Sequence, residues 1–210
     1  MLYIGIDLGT SSCKLLLVDE EGRVLNSVSR EYPLYFPRPG WSEQEPEDWF
    51  AAVCGGIPEL LRGFDASGLD GIALPARCMG WYAWTREAGR APRDTLERRP
   101  HECEVDYLNG AVGRQTLSQH TANIAFAGFT APKLLWLRNN EPENFSRIEK
   151  IMLPKDYINY RLTGVHACEP RMPQARCSMM WSAAAGAVRC WSSAAYLKLR
   201  CPGFLRAERS

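Results

Sequence analysis

The sequence lacks an excess of charge of either sign, because 25 lysines and arginines are balanced by 24 aspartates and glutamates. A net charge of +1 offers neither nucleic acid nor a membrane surface a basic partner, so we expect no binding to either. No stretch approaches the roughly 18 consecutive apolar residues of a membrane span. The first twelve residues also lack the basic region and long apolar run of a secretory signal. These absences predict a soluble, cytoplasmic protein.

Closely spaced cysteine pairs are missing as well. The eight cysteines lie at positions 13, 54, 78, 103, 168, 177, 190 and 201, and no two of them form a Cys-x-x-Cys pair. Metal ligation by cysteine needs several ligands that converge, usually as such pairs. The spacing therefore gives no reason to expect a zinc site.

The chain does contain enough apolar sequence for a core, since 46% of its 210 residues are hydrophobic. Two β-prone runs, residues 2–8 and 13–18, flank a tight Gly-Thr-Ser-Ser segment and predict a hairpin. Residues 23–35 alternate enough to be a third strand, and residues 70–74 predict a short buried strand. Such a length and pattern fit one substantial domain or two small ones.

Helices are predicted mainly by apolar spacing. A helix should begin at Pro46, with its second half weakened by Gly55, Gly56 and Pro58. Further helical patterns cover residues 104–112, 131–139 and 155–162, the last ending at Gly164, and residues 151–153 predict a short strand. Residues 75–102 and those after His166 fit no regular element. Hairpin strands followed by interleaved helices and strands predict a mixed α/β layer fold.

The segment that carries chemistry is I-D-L-G-T-S-S-C-K, residues 6–14. A tight turn of this kind offers backbone N–H groups and hydroxyls to phosphate oxygens. The candidate nucleotide-binding residues are therefore Asp7, Gly9, Thr10, Ser11, Ser12 and Lys14. We expect Asp7 to orient Mg²⁺ or its waters and Lys14 to add positive charge. An ordinary hairpin turn, in which Gly and Ser are common, is the alternative.

This segment resembles the first phosphate loop of the actin-like ATPase superfamily, which includes sugar kinases, hexokinases and Hsp70-type chaperones. Three further segments resemble stretches of FGGY carbohydrate kinases, and of xylulokinases in particular. They are P-G-W-S-E-Q-E-P-E-D-W (residues 39–49), G-F-T-A-P-K-L-L-W (residues 128–136) and L-P-K-D-Y (residues 153–157) followed by R-L-T-G (residues 161–164). Trp41 and Trp49 are expected in the core rather than at a ligand.

The resemblance implies a ribonuclease H-like fold, a mixed sheet with flanking helices. It also implies ATP-dependent phosphorylation of a sugar hydroxyl, with D-xylulose as the expected substrate and ATP and Mg²⁺ as cofactors. The family's catalytic aspartate and C-terminal kinase domain are absent from this chain, so we expect it to be inactive alone. For the intact family member the resemblance allows a homodimer.

Two stretches depart from the family pattern. Where the family carries S-G-Q-M-H-G-L-V, with a Met-His pair at the sugar, the chain has Cys78 and Met79 in P-A-R-C-M-G-W-Y. Read one base earlier, permitted codons for residues 75–86 give S-G-Q-M-H-G-L-V-C-L-D-A. The single codon of tryptophan forces the hidden Val and Asp. Residues 92–102, read one base later, can contain the family's W-N-D-x-R-T.

The tail behaves in the same way, because residues 171–182 can conceal D-A-S-G-T-L-L-Y-D-V-E. The hypothesis is that residues 75–102 and those after about 170 are read out of frame. It divides the chain into an N-terminal kinase domain, residues 1–166 with 75–102 out of frame, and an out-of-frame tail, residues 167–210. We expect loose packing in both stretches, and coding DNA whose codons exclude the hidden motifs would refute the hypothesis.

Other functions remain open at this point. A chaperone-type ATPase would share the phosphate loop, although residues 128–136 and 153–164 argue against it. A non-catalytic module could use the same loop only to hold nucleotide. Other FGGY kinases act on glycerol, gluconate, ribulose or fuculose, and the sequence does not decide among these substrates because the expected sugar-binding residues are the ones replaced.

Overall fold

The computed structural model describes residues 1–39, 41–75, 82–85, 94–98, 102–121, 123–165 and 167. Within them the strands are β1 (Leu2–Leu8), β2 (Ser12–Asp19), β3 (Val24–Glu31), β4 (Trp41–Gln44), β5 (Leu69–Ala73), β6 (Tyr82–Thr85), β7 (Asp94–Arg98) and β8 (Ile148–Met152). The helices are α1 (Pro46–Leu60), α2 (Glu102–Tyr107), α3 (Arg114–Thr121), α4 (Thr130–Asn140), α5 (Pro142–Ser146) and α6 (Pro154–Thr163). A π-helical stretch, Leu108–Gly113, joins α2 to α3.

The main sheet has the strand order β3-β2-β1-β5. Strands β1, β2 and β3 form the antiparallel meander that the sequence predicts, and β5 joins β1 in parallel. Alternate residues of β1 and β2 enter the core, as a strand with one covered face requires. The fully buried members include Ile4, Ile6, Leu15 and Leu17. Strand β5 is only partly buried, which is less than the sequence indicates.

Helix α1 covers the buried face of the sheet. It begins with Pro at its first turn and acidic residues beside it, and its apolar residues recur at helical spacing. The helix continues to Leu60, so Gly55, Gly56 and Pro58 do not weaken it as expected. A Cβ on Gly56 would lie 2.7 Å from Leu15 Cδ1. The missing side chain therefore allows close helix–sheet packing, and that packing outweighs low helix propensity.

Two smaller sheets have two strands each. Strand β4 pairs with β7, and β6 pairs with β8, both antiparallel. Strands β6 and β7 lie in residues 75–102, where the sequence predicts no regular element. Strand β8 occupies the position of the predicted strand at residues 151–153 but begins earlier, at Ile148.

Helices α4 and α6 confirm the patterns in residues 131–139 and 155–162. Helix α4 is buried along most of its length, and polar Thr130 and Lys133 are among its buried residues. Helix α6 ends at Gly164, whose φ of 73° is left-handed backbone that a glycine adopts without a steric penalty. The predicted helix at residues 104–112 is divided into α2 and the π-helical stretch.

Helices α1 and α6 are joined by aromatic packing and a polar network. Trp49, only 1% exposed, packs edge to face against Tyr157 with ring centroids 6.3 Å apart. The Tyr157 hydroxyl donates to Glu47 Oε1 at 2.8 Å, and Arg161 also donates to that oxygen. The hydrogen bond from Arg161 holds the pKa of Glu47 below its ordinary value, whereas burial raises the pKa of Tyr157. The family-like segments at residues 39–49 and 153–164 thus meet in one core.

Several predictions concern residues outside the described part of the chain. Cys78, Met79 and the tail from residue 168 onward belong to this group, so the predicted replacement of the Met-His pair and the out-of-frame tail stay predictions. Among the described helices, none has both the length and the apolar character needed to cross a bilayer.

Candidate functional site

The candidate site lies at the turn between β1 and β2. Strand β1 ends at Leu8 and β2 begins at Ser12, so Gly9, Thr10 and Ser11 form the connection and Ser12 is already a strand residue. The Gly9 N–H donates to the Ser12 carbonyl at 2.8 Å and closes the turn. A Cβ on Gly9 would lie 2.8 Å from that same carbonyl oxygen. Glycine is therefore needed here for close approach of the backbone.

Asp7 and Lys14 stand opposite each other at the base of the turn. They are register partners in the antiparallel β1–β2 pair, and both are exposed. Directly opposed residues project from the same face of a sheet. Their neighbours Leu8 and Cys13 form the next pair and are buried on the other face. One carboxylate and one ammonium group therefore lie beside the turn on its solvent side.

Tyr32 contacts the turn through both its side chain and its backbone. This residue follows β3 and is only 7% exposed. Its hydroxyl lies 2.6 Å from the Gly9 carbonyl oxygen and 3.1 Å from the Ser12 carbonyl oxygen. Its backbone N–H donates to the Ser11 carbonyl at 3.0 Å. One residue thus contacts both ends and the middle of the turn.

Gln44 supplies the remaining contact. Its side chain is fully buried, and its Nε2 donates to the Thr10 carbonyl at 2.7 Å. A pair of 2.8 Å hydrogen bonds joins the backbones of Tyr35 and Glu43. Tyr32 and Gln44, on the two sides of this pairing in the sequence, therefore both contact the turn.

A metal cage built only from protein groups is not found in the described residues, where no three His, Cys, Asp or Glu side chains lie together. Mg²⁺ does not need such a cage, because it usually takes one or two carboxylates and completes its shell with water and phosphate oxygens. Exposed Asp7 beside the turn is a carboxylate of that kind. The residues present therefore fit an ion that arrives with a nucleotide.

The other motifs make structure rather than a second site. The Lys155 ammonium lies 2.6 Å from Asp156 Oδ1, with both side chains at least nine-tenths buried. Asp156 Oδ2 accepts from the Leu153 N–H at 3.3 Å at the start of α6. Trp41 packs edge to face on Trp136 at 5.9 Å, which joins the first two family-like segments. Trp49 is in the core as expected, while Trp41 is half-buried.

The structure thus brings Asp7, Lys14 and the whole Gly-Thr-Ser-Ser segment to one end of the main sheet. Tyr32 is not among the site residues that the sequence predicts, and Gln44 has no predicted role, although Gln44 lies in a family-like segment. A sequence separation of 34 residues between Gln44 and Thr10 gives no local signal of contact. Gln44 is one of several polar residues in residues 39–49, so the local sequence does not distinguish it from its neighbours.

Comparison with known protein families gives a match to one family. Residues 2–186 match the N-terminal domain of the FGGY family of carbohydrate kinases. Among curated proteins, the xylulose kinase of Staphylococcus xylosus is 39% identical over 170 residues, which cover 80% of this chain and 35% of that protein. The chain therefore spans about a third of the length of such relatives.

Solved structures support the same fold. The crystal structure of a xyloylose kinase from Brucella ovis superposes with a TM-score of 0.71 at 35% identity and covers 80% of this chain and 35% of that one. The crystal structure of gluconate kinase from Lactobacillus acidophilus gives a TM-score of 0.74 at 26% identity, covering 84% of this chain and 36% of that one. The expected mixed α/β fold of actin-like sugar kinases is confirmed.

Proposed function

The chain belongs to the FGGY family of carbohydrate kinases, and we propose that it forms the N-terminal, phosphate-holding domain of a xylulose kinase. The proposed reaction transfers the terminal phosphoryl group of ATP to D-xylulose and gives ADP and D-xylulose 5-phosphate. The similarity to xylulose kinases supports this substrate. The similarity to a gluconate kinase favours a second candidate, another FGGY sugar or polyol kinase such as one acting on gluconate, glycerol or ribulose.

The observation that carries the proposal is the glycine-closed turn with Asp7 and Lys14 opposed at its base. Phosphoryl transfer depends mainly on positioning and on neutralising charge at the transferred group. In this assignment Gly9, Thr10, Ser11 and Ser12 face the nucleotide phosphates, and Lys14 adds positive charge. Asp7 would hold Mg²⁺, which neutralises phosphate charge when bound.

The proposed domain division follows the same logic. Residues 1–166 form the kinase domain in this assignment, and residues 75–102 within it are read out of frame. The tail from residue 167 is also read out of frame and belongs to no domain. The sugar-facing residues belong to the first of these stretches, so Cys78 and Met79 stand where Met and His are expected. We propose that restoring this frame restores the sugar site. A homodimer of the intact protein and the absence of a nucleic-acid partner stay predictions.

A chimera tests the reaction. Residues 1–166, as written or with the frame of 75–102 restored, are joined to the C-terminal remainder of the Staphylococcus xylosus xylulose kinase. The frame-restored chimera should release ADP in the presence of D-xylulose, and the Asp7→Asn version should be slower by about 10²-fold or more, comparable to loss of one transition-state contact. The chimera as written should show no sugar-dependent turnover.

The readout is coupled ADP release with D-xylulose, D-ribulose, gluconate and glycerol as parallel substrates. Faster turnover with gluconate or glycerol would replace the substrate by the second candidate. A folded, frame-restored chimera that turns over none of the four would contradict the proposed function, as would full activity of the Asp7→Asn version.

A further inference from the structure

Each carbonyl group of the turn accepts a hydrogen bond from Tyr32 or Gln44. The Tyr32 hydroxyl lies within hydrogen-bond distance of the Gly9 and Ser12 carbonyls, and the Tyr32 backbone N–H donates to the Ser11 carbonyl. The Ser12 carbonyl also accepts from the Gly9 N–H. Gln44 donates to the Thr10 carbonyl. Both residues are more than nine-tenths buried, so water does not compete strongly for these contacts.

The engaged carbonyls determine how the turn presents its N–H groups. A trans peptide unit is planar, and its C=O and N–H point in opposite directions. When the carbonyls of Gly9 and Thr10 are held toward Tyr32 and Gln44, the N–H groups of the next residues, Thr10 and Ser11, are turned the other way. Carbonyl oxygens repel phosphate and N–H groups attract it, so this orientation is the one that suits an anion.

The Gln44 amide carries an energetic penalty that an apolar side chain in the same place would not have. Its Oε1 is buried and has no hydrogen-bond partner within the described part of the chain. Leaving a buried acceptor unsatisfied is unfavourable, and an apolar side chain of the same size would avoid the penalty. The amide therefore has a role that depends on its donor, and the donor points at Thr10.

We infer that Tyr32 and Gln44 are positioning residues that hold the turn in its phosphate-accepting shape. They act through the backbone and contact neither nucleotide nor sugar. The inference rests on the proposed function, because it assigns a purpose to the turn only if the turn holds phosphate.

Two substitutions remove the side-chain donors to the turn and nearly keep the side-chain volume. Tyr32→Phe deletes one hydroxyl, and Gln44→Met replaces the amide by an apolar chain. Tyr35→Phe is the matched control. It makes the same chemical change three residues away, at a hydroxyl that donates to Asp48 Oδ2 at 3.0 Å. All variants are made in the 210-residue chain.

The measurements are the dissociation constant for Mg·ATP, by isothermal titration, and the melting temperature of each variant. Tyr32→Phe and Gln44→Met should each weaken binding by about three- to tenfold, the loss expected for one net hydrogen bond. Tyr35→Phe should bind as the wild type does. A purely structural role would lower the melting temperature and leave binding unchanged at temperatures where the chain is folded.

The outcomes separate the two claims. If the wild type binds Mg·ATP and both turn variants bind as tightly as Tyr35→Phe does, the inference is overturned while the proposed function stands. If the wild type itself binds no Mg·ATP, the proposed function fails first and the inference fails with it. Should Gln44→Met fail to fold, Tyr32→Phe alone decides the inference, since it removes a single oxygen.

Discussion

Replacing Gly9 by alanine is expected to abolish measurable Mg·ATP binding and to destabilise the domain. The added Cβ would lie 2.8 Å from the Ser12 carbonyl oxygen, closer than carbon and oxygen atoms approach in folded proteins. That oxygen belongs to the backbone and already accepts bonds from the Gly9 N–H and from Tyr32, so it has little freedom to move. The turn must open, at a cost of about 1–3 kcal/mol.

Gly5→Ala is the matched control because it makes the same change four residues earlier, within β1 rather than in the turn. A Cβ at Gly5 meets only Leu16 Cβ, at an ordinary 4.0 Å. This variant should keep wild-type binding, with a free energy of unfolding unchanged or raised by up to about 1 kcal/mol through lower entropy of the unfolded chain. Urea denaturation and nucleotide titration of both variants provide the comparison. Equal effects of the two substitutions would show that the close contact at Gly9 is not what shapes the turn.

Truncating Trp49 to alanine should cost about 3–5 kcal/mol of folding free energy, the usual range for a fully buried tryptophan. The side chain is 1% exposed and packs against Tyr157, which ties α1 to α6. Its loss leaves a cavity between the sheet and both helices. Because small domains have only about 5–15 kcal/mol of stability, this change alone brings the chain close to unfolding.

Trp41→Ala is the control for Trp49, since both residues belong to the same family-like segment. Trp41 is half-buried and lies against Trp136 and Arg38, outside the main core. We expect its truncation to cost about half as much or less, because less apolar surface is lost. The measurement is the midpoint of urea denaturation, monitored by circular dichroism. The dependence of the unfolding free energy on urea concentration should be the same in both variants. An equal or larger loss at Trp41 would contradict the assignment of the main core to the sheet, α1 and α6.

The elements that the sequence predicts well are those whose signals are local. The β1–β2 hairpin shows two apolar runs around a glycine turn, and the first turn of α1 and the end of α6 carry Pro46 and Gly164 at the positions that favour them. Helix α1 was underestimated because Gly56 lowers helix propensity yet allows close packing on Leu15. This packing advantage depends on the neighbouring strand β2, so the sequence of the helix alone does not indicate it.

The elements that the sequence did not predict depend on distant partners. Strand β4 is four residues long and exists through pairing with β7, some fifty residues later. The π-helical stretch at Leu108–Gly113 has no simple spacing rule. In the candidate site, Asp7, Lys14 and the turn residues could be identified because they are adjacent in the chain. Tyr32 and Gln44 could not, because side-chain to backbone contacts over 20 or more residues leave no periodic pattern.

The most direct test of the central claim is the backbone amide spectrum of the 210-residue chain during titration with Mg·ATP. We expect saturable shifts that are largest for Thr10, Ser11 and Ser12, with smaller changes at Asp7 and Lys14. Inorganic tripolyphosphate with Mg²⁺ should shift the same amides, because the phosphates are what the turn contacts. A folded chain whose turn amides stay in place at saturating Mg·ATP would contradict the assignment of this turn as a phosphate site.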